Sequence, residues 1–304
     1  MRRVVKGNPP SLESEGVRFP LLVSYAYLRQ LKPETFHWCI HEAKKEGFDV
    51  LLDCGAFSAA NAGHEITLKE YVDFLQEHGD AFFAYLALDK LKDPVQTKKN
   101  LDIMYKVGLD PCPVHVLGDT EKTMDELFER ASLVFLGGFR RPGRGPARKD
   151  YIMKKMQWAK GRDVHWLGYT NQDMLLALKP YSCDSSSWGA SQRWGLCDIY
   201  LGNGKWHHSR RWSRHERLPV RALAEIQKVG YSLQDWRKDS NWSQKKDELM
   251  SMDITTSSWI RYVMDMRRAH GTRIFLASTL IDTDVLKIRK YWAQVRDNWG
   301  KKCA

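Results

Sequence analysis

Asp49-Val50-Leu51-Leu52-Asp53-Cys54-Gly55-Ala56-Phe57 is apolar along most of its length, and ten residues later Thr67 and Glu70 open a helical pattern. A near-continuous apolar run of this length is what a strand covered on both faces looks like. Thr67, three residues before Glu70, has capping-box spacing, so a helix over Thr67–His78 follows the strand. The same unit recurs along the chain. Strands are expected at Phe19–Tyr27, Asp49–Phe57, Ala81–Asp89, Pro113–Gly118, Leu133–Phe139, Val164–Tyr169 and Tyr181–Ser185. Helices are expected at Thr67–His78, Pro94–Val107, Glu121–Ala131, Lys149–Lys160 and Asn171–Leu178, with Pro94 suited to a first helical turn. Strict βα alternation predicts a parallel sheet flanked by helices. Seven such strands in the first two thirds favour an α/β fold of the (β/α)8 TIM-like barrel type over an open sheet. The eighth strand is either Ile199–Leu201 or Arg273–Ala277. No Gly-rich phosphate loop follows any strand, which removes the main support for a nucleotide-binding open sheet.

The whole chain of 304 residues is expected to form one barrel domain. Residues 189–241 are rich in Gly, Arg and Trp with weak periodicity, and read as a basic insertion or long loop on the barrel. Residues 243–268 and 280–299 read as amphipathic C-terminal helices that complete the outer layer. A hydrophobic content of 43 % with 28 % charged residues argues against disorder. No run of about 18 apolar residues exists, so a membrane span is excluded. Met1–Pro10 has no apolar segment of the signal-peptide kind. Six cysteines without a CxxC pair fit a reducing compartment, and the expected location is the cytoplasm. A formal net charge of +11, with 12 Trp and 12 Tyr, fits a polyanionic partner. Residues 205–217, Lys-Trp-His-His-Ser-Arg-Arg-Trp-Ser-Arg-His-Glu-Arg, interleave cations with flat rings. Such a stretch is either a nucleic-acid surface, cations meeting phosphates and rings stacking on bases, or a solvated charge run.

In a barrel, chemistry sits where strands end and loops begin. Asp53, Asp89 and Asp184 each end an otherwise apolar strand. One carboxylate at such a place is usually a helix cap or loop anchor. Three around one mouth raise one another's pKa, an arrangement commoner in active sites than in scaffolding. Phe57, His115, the pair Gly137-Gly138, and Gly168 occupy the other strand ends, and paired glycines let a flat ligand approach the backbone.

These residues also carry a resemblance. Leu52-Asp53-Cys54-Gly55-Ala56-Phe57-Ser58 resembles the Asp-Ser-Gly-Gly-Phe-Gln motif of the queuine/guanine transglycosylase superfamily. Leu86-Ala87-Leu88-Asp89 resembles its base-binding Asp strand, and Phe135-Leu136-Gly137-Gly138-Phe139 its Gly-Gly loop. Leu167-Gly168-Tyr169-Thr170, then Tyr181-Ser182-Cys183-Asp184-Ser185, resembles its Gly-Val-Gly strand and nucleophilic Asp. Order and spacing agree over roughly residues 45–190. Gly55-Ala56-Phe57-Ser58 and Asp184-Ser185-Ser186-Ser187-Trp188 are most similar to the phage-associated DNA-guanine transglycosylases.

The resemblance implies exchange of guanine in DNA for a free 7-deazaguanine of the preQ0 kind, through a covalent Asp–sugar intermediate. It casts Asp184 as nucleophile, Asp53 as general acid/base, and Asp89 as acceptor for the base's N1–H and exocyclic amine. Gly138 N–H and His115 become candidates for the base's O6, with Gly137 and Gly168 beside them. His115 is otherwise a satisfied barrel histidine. Phe57 either stacks on the base or packs in the mouth. The target must be flipped out or single-stranded. Arg140, Arg141, Arg144 and Arg148 are candidates for phosphate contacts, as are Lys205, Trp206, Arg210, Arg211, Trp212 and Arg214 for holding the strand. The superfamily's tRNA enzymes hold zinc through a CxCxxC run that is missing here. Cys183, Cys197, His207 and His208 fit no common zinc spacing, so no metal or other cofactor is expected. The partners implied are DNA and a free base, with a protein partner left open, and the location would be the host cytoplasm for a phage protein. Rival readings are the same chemistry on tRNA, base removal finished by water, and a non-catalytic nucleic-acid-binding protein on the same barrel.

Overall fold

The computed structural model describes residues 17–61, 63–90, 93–139, 145–189, 194–242, 249–278 and 280–299. Eight parallel strands form one curled sheet, a TIM-like α/β arrangement. They are β1 (Phe19–Ser24), β2 (Phe48–Asp53), β3 (Ala84–Tyr85), β4 (Val114–His115), β5 (Leu133–Leu136), β6 (Asp163–Trp166), β7 (Ser182–Ser185) and β10 (Arg273–Ala277). The order across the sheet is β3-β2-β1-β10-β7-β6-β5-β4. The outermost strands are linked beyond β3 by one parallel bridge between Leu86 and Cys112. Cys112 N–H donates to Tyr85 O at 2.8 Å and Ala87 N–H to Cys112 O at 2.9 Å. Arg273–Ala277 therefore takes the place expected of the eighth strand. Ile199–Leu201 belongs instead to a separate antiparallel hairpin of β8 (Leu196–Gly202) and β9 (Lys205–Arg210).

Strands end earlier than the apolar runs that announce them. Tyr25–Leu28 is already a helical turn (α1), and after Pro33–His37 (α2) the segment Ala56–Asn61 is another (α3). The longer crossovers match expectation closely: α4 (Leu68–His78), α5 (Pro94–Lys106), α6 (Glu121–Phe128), α7 (Pro146–Ala159) and α8 (Gln172–Leu178). Their caps explain where they begin. Thr67 Oγ1 accepts from Glu70 N–H at 3.2 Å, and Asp93 Oδ1 from Gln96 N–H at 2.9 Å ahead of Pro94. Each such cap contributes about 1 kcal/mol.

Every residue of β1 is buried, as are five of six in β2. Phe19, Phe48 and Trp292 cluster with ring centroids 5.4 to 6.5 Å apart, tying the last helix to the start of both strands. Burial of each large apolar side chain here is worth about 2 kcal/mol.

Residues 194–242 are no long loop. The hairpin is followed by α9 (Val220–Lys228) and α10 (Leu233–Arg237). They enclose a small core of their own: Cys197, Ile199, Ala222, Ile226, Trp236 and Trp242, closed by Met250 and Ile254 of α11 (Met250–His270). Its other face, with Ile260, Val263 and Met264, joins the main core. Helix α11 is buried on both sides rather than amphipathic, whereas α12 (Ile281–Trp299) lies against the first strands. Among the described residues no helix is long and apolar enough to cross a membrane.

Candidate active site

Asp53, Asp89 and Asp184 stand at or just beyond the C-terminal ends of β2, β3 and β7, close enough that the charges of the last two bear on Asp53. Asp53 is the last residue of β2, in register with Ser24 of β1. Its Oδ2 accepts from Gly55 N–H at 3.0 Å. That bond requires a sharp turn, which Gly55 makes at φ +80°. A Cβ there would lie 2.6 Å from Ala26 N and 2.8 Å from Ser24 Oγ, so only glycine fits. Asp89 follows Leu88, whose carbonyl accepts from Asn100 Nδ2 at 3.0 Å. Asp89 Oδ1 accepts from the buried Cys54 thiol at 2.9 Å.

Burial pushes the Asp53 carboxyl up to about 7, with Asp89 and then Asp184 adding to the rise. The Gly55 N–H and the Ser24 hydroxyl only partly oppose it. Asp89 is also pushed up by burial, with the Cys54 hydrogen bond acting the other way. The Cys54 thiol is held far above its ordinary range by burial and by Asp89 and Asp53, so it serves as a donor and not as a thiolate.

Asp184 is held differently. Its Oδ1 accepts from Gly168 N–H at 2.8 Å and from His165 Nε2–H at 3.1 Å. His165 is fully buried on β6, and its Nδ1 lies 2.8 Å from Ser182 Oγ. Burial pushes the imidazole pKa down, with Asp184 opposing, so the ring is neutral. Trp188 locks the turn after β7 by donating from Nε1 to Ala277 O at 2.9 Å. The site thus holds one carboxyl that keeps a proton near neutrality beside another that is anchored by two donors.

Phe57 stands in the first turn of α3, 54 % exposed, directly after the Asp53 turn. His115 is placed otherwise than a base-binding role needs. It is fully buried, Nε2 lies 3.0 Å from Thr120 O and Nδ1 2.9 Å from Lys155 Nζ of α7. Both nitrogens are engaged in the helix layer, leaving none for a ligand. The Gly137-Gly138 turn packs against the chain itself: Tyr151 donates its hydroxyl to Gly137 O at 3.2 Å, and a Cβ on Gly138 would meet Leu117 Cβ at 3.1 Å. Gly168, at φ +63°, contributes its N–H to Asp184, and a Cβ there would meet nothing within 4 Å.

Arg140, Arg141 and Arg144 lie outside the described residues; Arg148 lies over the Tyr169 ring at 6.0 Å. In the hairpin region, Lys205 and Arg210 are exposed, and the Arg210 guanidinium covers the 66 % exposed Trp212 ring at 5.2 Å. Trp206 is not a free stacking surface, since it packs on Tyr200, Trp259 and Tyr262 at 5.0 to 5.2 Å. Arg211 forks onto Asp239 at 3.0 and 2.6 Å, and Arg214 reaches the same carboxylate at 3.3 Å. Trp194, 69 % exposed and directly following Arg193 in the chain, is a further flat ring at the surface that the reading of residues 205–217 did not include. Cys183 and Cys197 are buried in separate packing layers, and burial holds both thiols protonated. Among the described residues no three His, Cys, Asp or Glu side chains are grouped to share a metal ion. No protein-family model matches this chain, and no curated protein is significantly similar to it.

Proposed function

We propose that the strand-end carboxylates catalyse base exchange on a nucleic acid, on a (β/α)8 barrel closed through the Leu86–Cys112 bridge. One observation carries the reading: Asp53 and Asp184 share a cluster yet sit in opposite environments. Burial and neighbouring carboxylates keep the proton on Asp53 while two donors hold Asp184 in place, and such a difference in surroundings is how an acid/base and a nucleophile are told apart in glycosyl chemistry. Asp184 attacks C1′ of the target nucleotide while the bond from C1′ to the guanine nitrogen breaks. Asp53, protonated near neutrality, gives its proton to the departing base. The resulting Asp184–sugar ester is then attacked by the ring nitrogen of the incoming base, whose proton passes to Asp53, and Asp184 leaves as carboxylate. Asp89 keeps one oxygen on Cys54 and offers the other to the donor edge of the base. The order of motifs and the sequences Gly55-Ala56-Phe57-Ser58 and Asp184-Ser185-Ser186-Ser187-Trp188 favour DNA and a 7-deazaguanine as substrates.

The test is to incubate the protein with guanine-labelled DNA or tRNA and candidate free bases, then weigh the nucleosides after digestion. Release of labelled guanine with a modified nucleoside in DNA is the expected result. Modification of tRNA alone would overturn the choice of DNA. Guanine release without replacement would overturn exchange in favour of hydrolysis, and no release from either substrate would overturn the enzyme.

A further inference from the structure

We infer that His165 is the positioning residue of the Asp184 carboxylate, fixing which oxygen attacks, and that Ser182 fixes the histidine tautomer needed for this. The kinetic part rests on the base-exchange reading; the tautomer part rests on geometry alone. His165 and Ser182 are register partners on β6 and β7, and Asp184 lies two residues further on the same face. Phe135, the partner of His165 on β5, stacks on the imidazole at 4.3 Å and 26°. Phe275, the partner of Asp184 on β10, closes the other side at 5.8 Å. The ring is thus clamped between aromatics with no exposed surface.

A neutral imidazole has one donor and one acceptor, and a carboxylate only accepts. The 3.1 Å contact to Asp184 therefore places the proton on Nε2, and the Ser182 hydroxyl donates to Nδ1 across 2.8 Å. Asp184 Oδ1 then carries two donors, Gly168 N–H and His165 Nε2–H, while Oδ2 has no hydrogen-bond donor among the described residues. Oδ2 is left to attack. In the ester, Oδ1 is the carbonyl oxygen, and when the sugar departs the returning negative charge meets the same two donors. His165 acts on both half-reactions without touching the substrate.

A hydrogen bond to a charged acceptor is worth enough that its loss slows turnover about 10- to 100-fold. His165→Phe keeps a flat ring between Phe135 and Phe275 but loses the donor. It is expected to slow adduct formation by that factor in single-turnover assays, with KM unchanged. His165→Gln, which restores an N–H, should recover most of the rate, and Ser182→Ala should fall between. Nitrogen-15 NMR of the wild-type protein should show His165 protonated at Nε2 and bare at Nδ1. A proton on Nδ1 with Nε2 bare overturns the inference, as does a His165→Phe protein forming adduct at the wild-type rate. If His165→Phe does not fold, His165→Gln and Ser182→Ala supply the kinetic arms. If the wild-type chain forms no adduct with either nucleic acid, base exchange fails and the tautomer still decides the assignment of Oδ1.

Discussion

Strand β2 carries a carboxylate near each end, and the protein treats them in opposite ways. Asp49, at the start, is buried and accepts from Arg18 Nε at 2.6 Å. Arg267, Arg273 and Tyr181 crowd the same end; Arg273 hydrogen-bonds the Tyr181 hydroxyl and covers the Phe83 ring at 5.2 Å. Asp53, four residues on and on the same face, meets no cation among the described residues: the charges bearing on it are Asp89 and Asp184. One end of the strand pairs its carboxylate with a cation and the other sets carboxylate against carboxylate. Parallel barrels place stabilising contacts at the N-terminal end and chemistry at the C-terminal end, and the proposed site follows that division within one strand.

The largest expected effect separates the two ends by activity. Asp184→Asn should abolish the covalent adduct and lower turnover by at least about 1,000-fold. It should leave the melting temperature unchanged or higher, because the amide oxygen can still accept from Gly168 N–H and His165 Nε2–H while repulsion among the three carboxylates is relieved. Asp49→Ala should do the reverse. Stripping the half-buried Arg18 of its carboxylate costs about 2 kcal/mol, readable in denaturant unfolding, while activity per folded molecule stays near wild type. Equal stability losses in the two variants would erase the distinction between the ends.

Titration of Asp53 sharpens the comparison by a smaller amount. Its folded pKa of about 7 lies above its ordinary value of 3.8, so folding favours the protonated form. Its stabilising contribution is complete below about pH 4 and is lost as pH rises through 7. Asp53→Asn should therefore gain stability relative to wild type between pH 4 and pH 8. The basic limb of kcat/KM, near pH 7 in the wild-type protein, should vanish in the same variant. A stability difference that does not change with pH would place the raised proton on another group.

Much of this was legible in the chain itself, because apolar runs and caps are local signals. Thr67 and Pro94 marked helix starts that the fold keeps, and Asp53, Asp89 and Asp184 stood out as charges ending apolar strands. Other features depend on register, which no local signal carries. His165 sits in an apolar run and shows its importance only once β6 and β7 are aligned and it faces Asp184. His115 looks equivalent in sequence, yet its ring points to Lys155 on the opposite side of the sheet wall. Asp49 and Arg18 are 31 residues apart, and their pairing follows from β1 lying beside β2. The basic stretch around residues 205–217 misled in one respect: alternation along a strand turns Trp206 inward, and Asp239, from a later turn, claims two of the arginines.

The smallest effect concerns those arginines, and it asks whether cations in the hairpin region serve the fold, as Arg18 does, or the ligand. Arg211 and Arg214 share Asp239, so most of their charge is already answered within the chain. Arg210 makes no such ion pair among the described residues and lies over exposed Trp212. If this face meets nucleic acid, Arg210→Ala should reduce the slope of log affinity against log salt by about one, the value for one lost phosphate contact. Arg211→Ala should change that slope less, since Asp239 is freed as the cation is lost. Trp212→Ala should weaken single-stranded binding by about 1 kcal/mol with the slope intact, because stacking does not release counterions. Equal slopes for both arginine variants would put the phosphates elsewhere and leave Arg210 as a surface charge only.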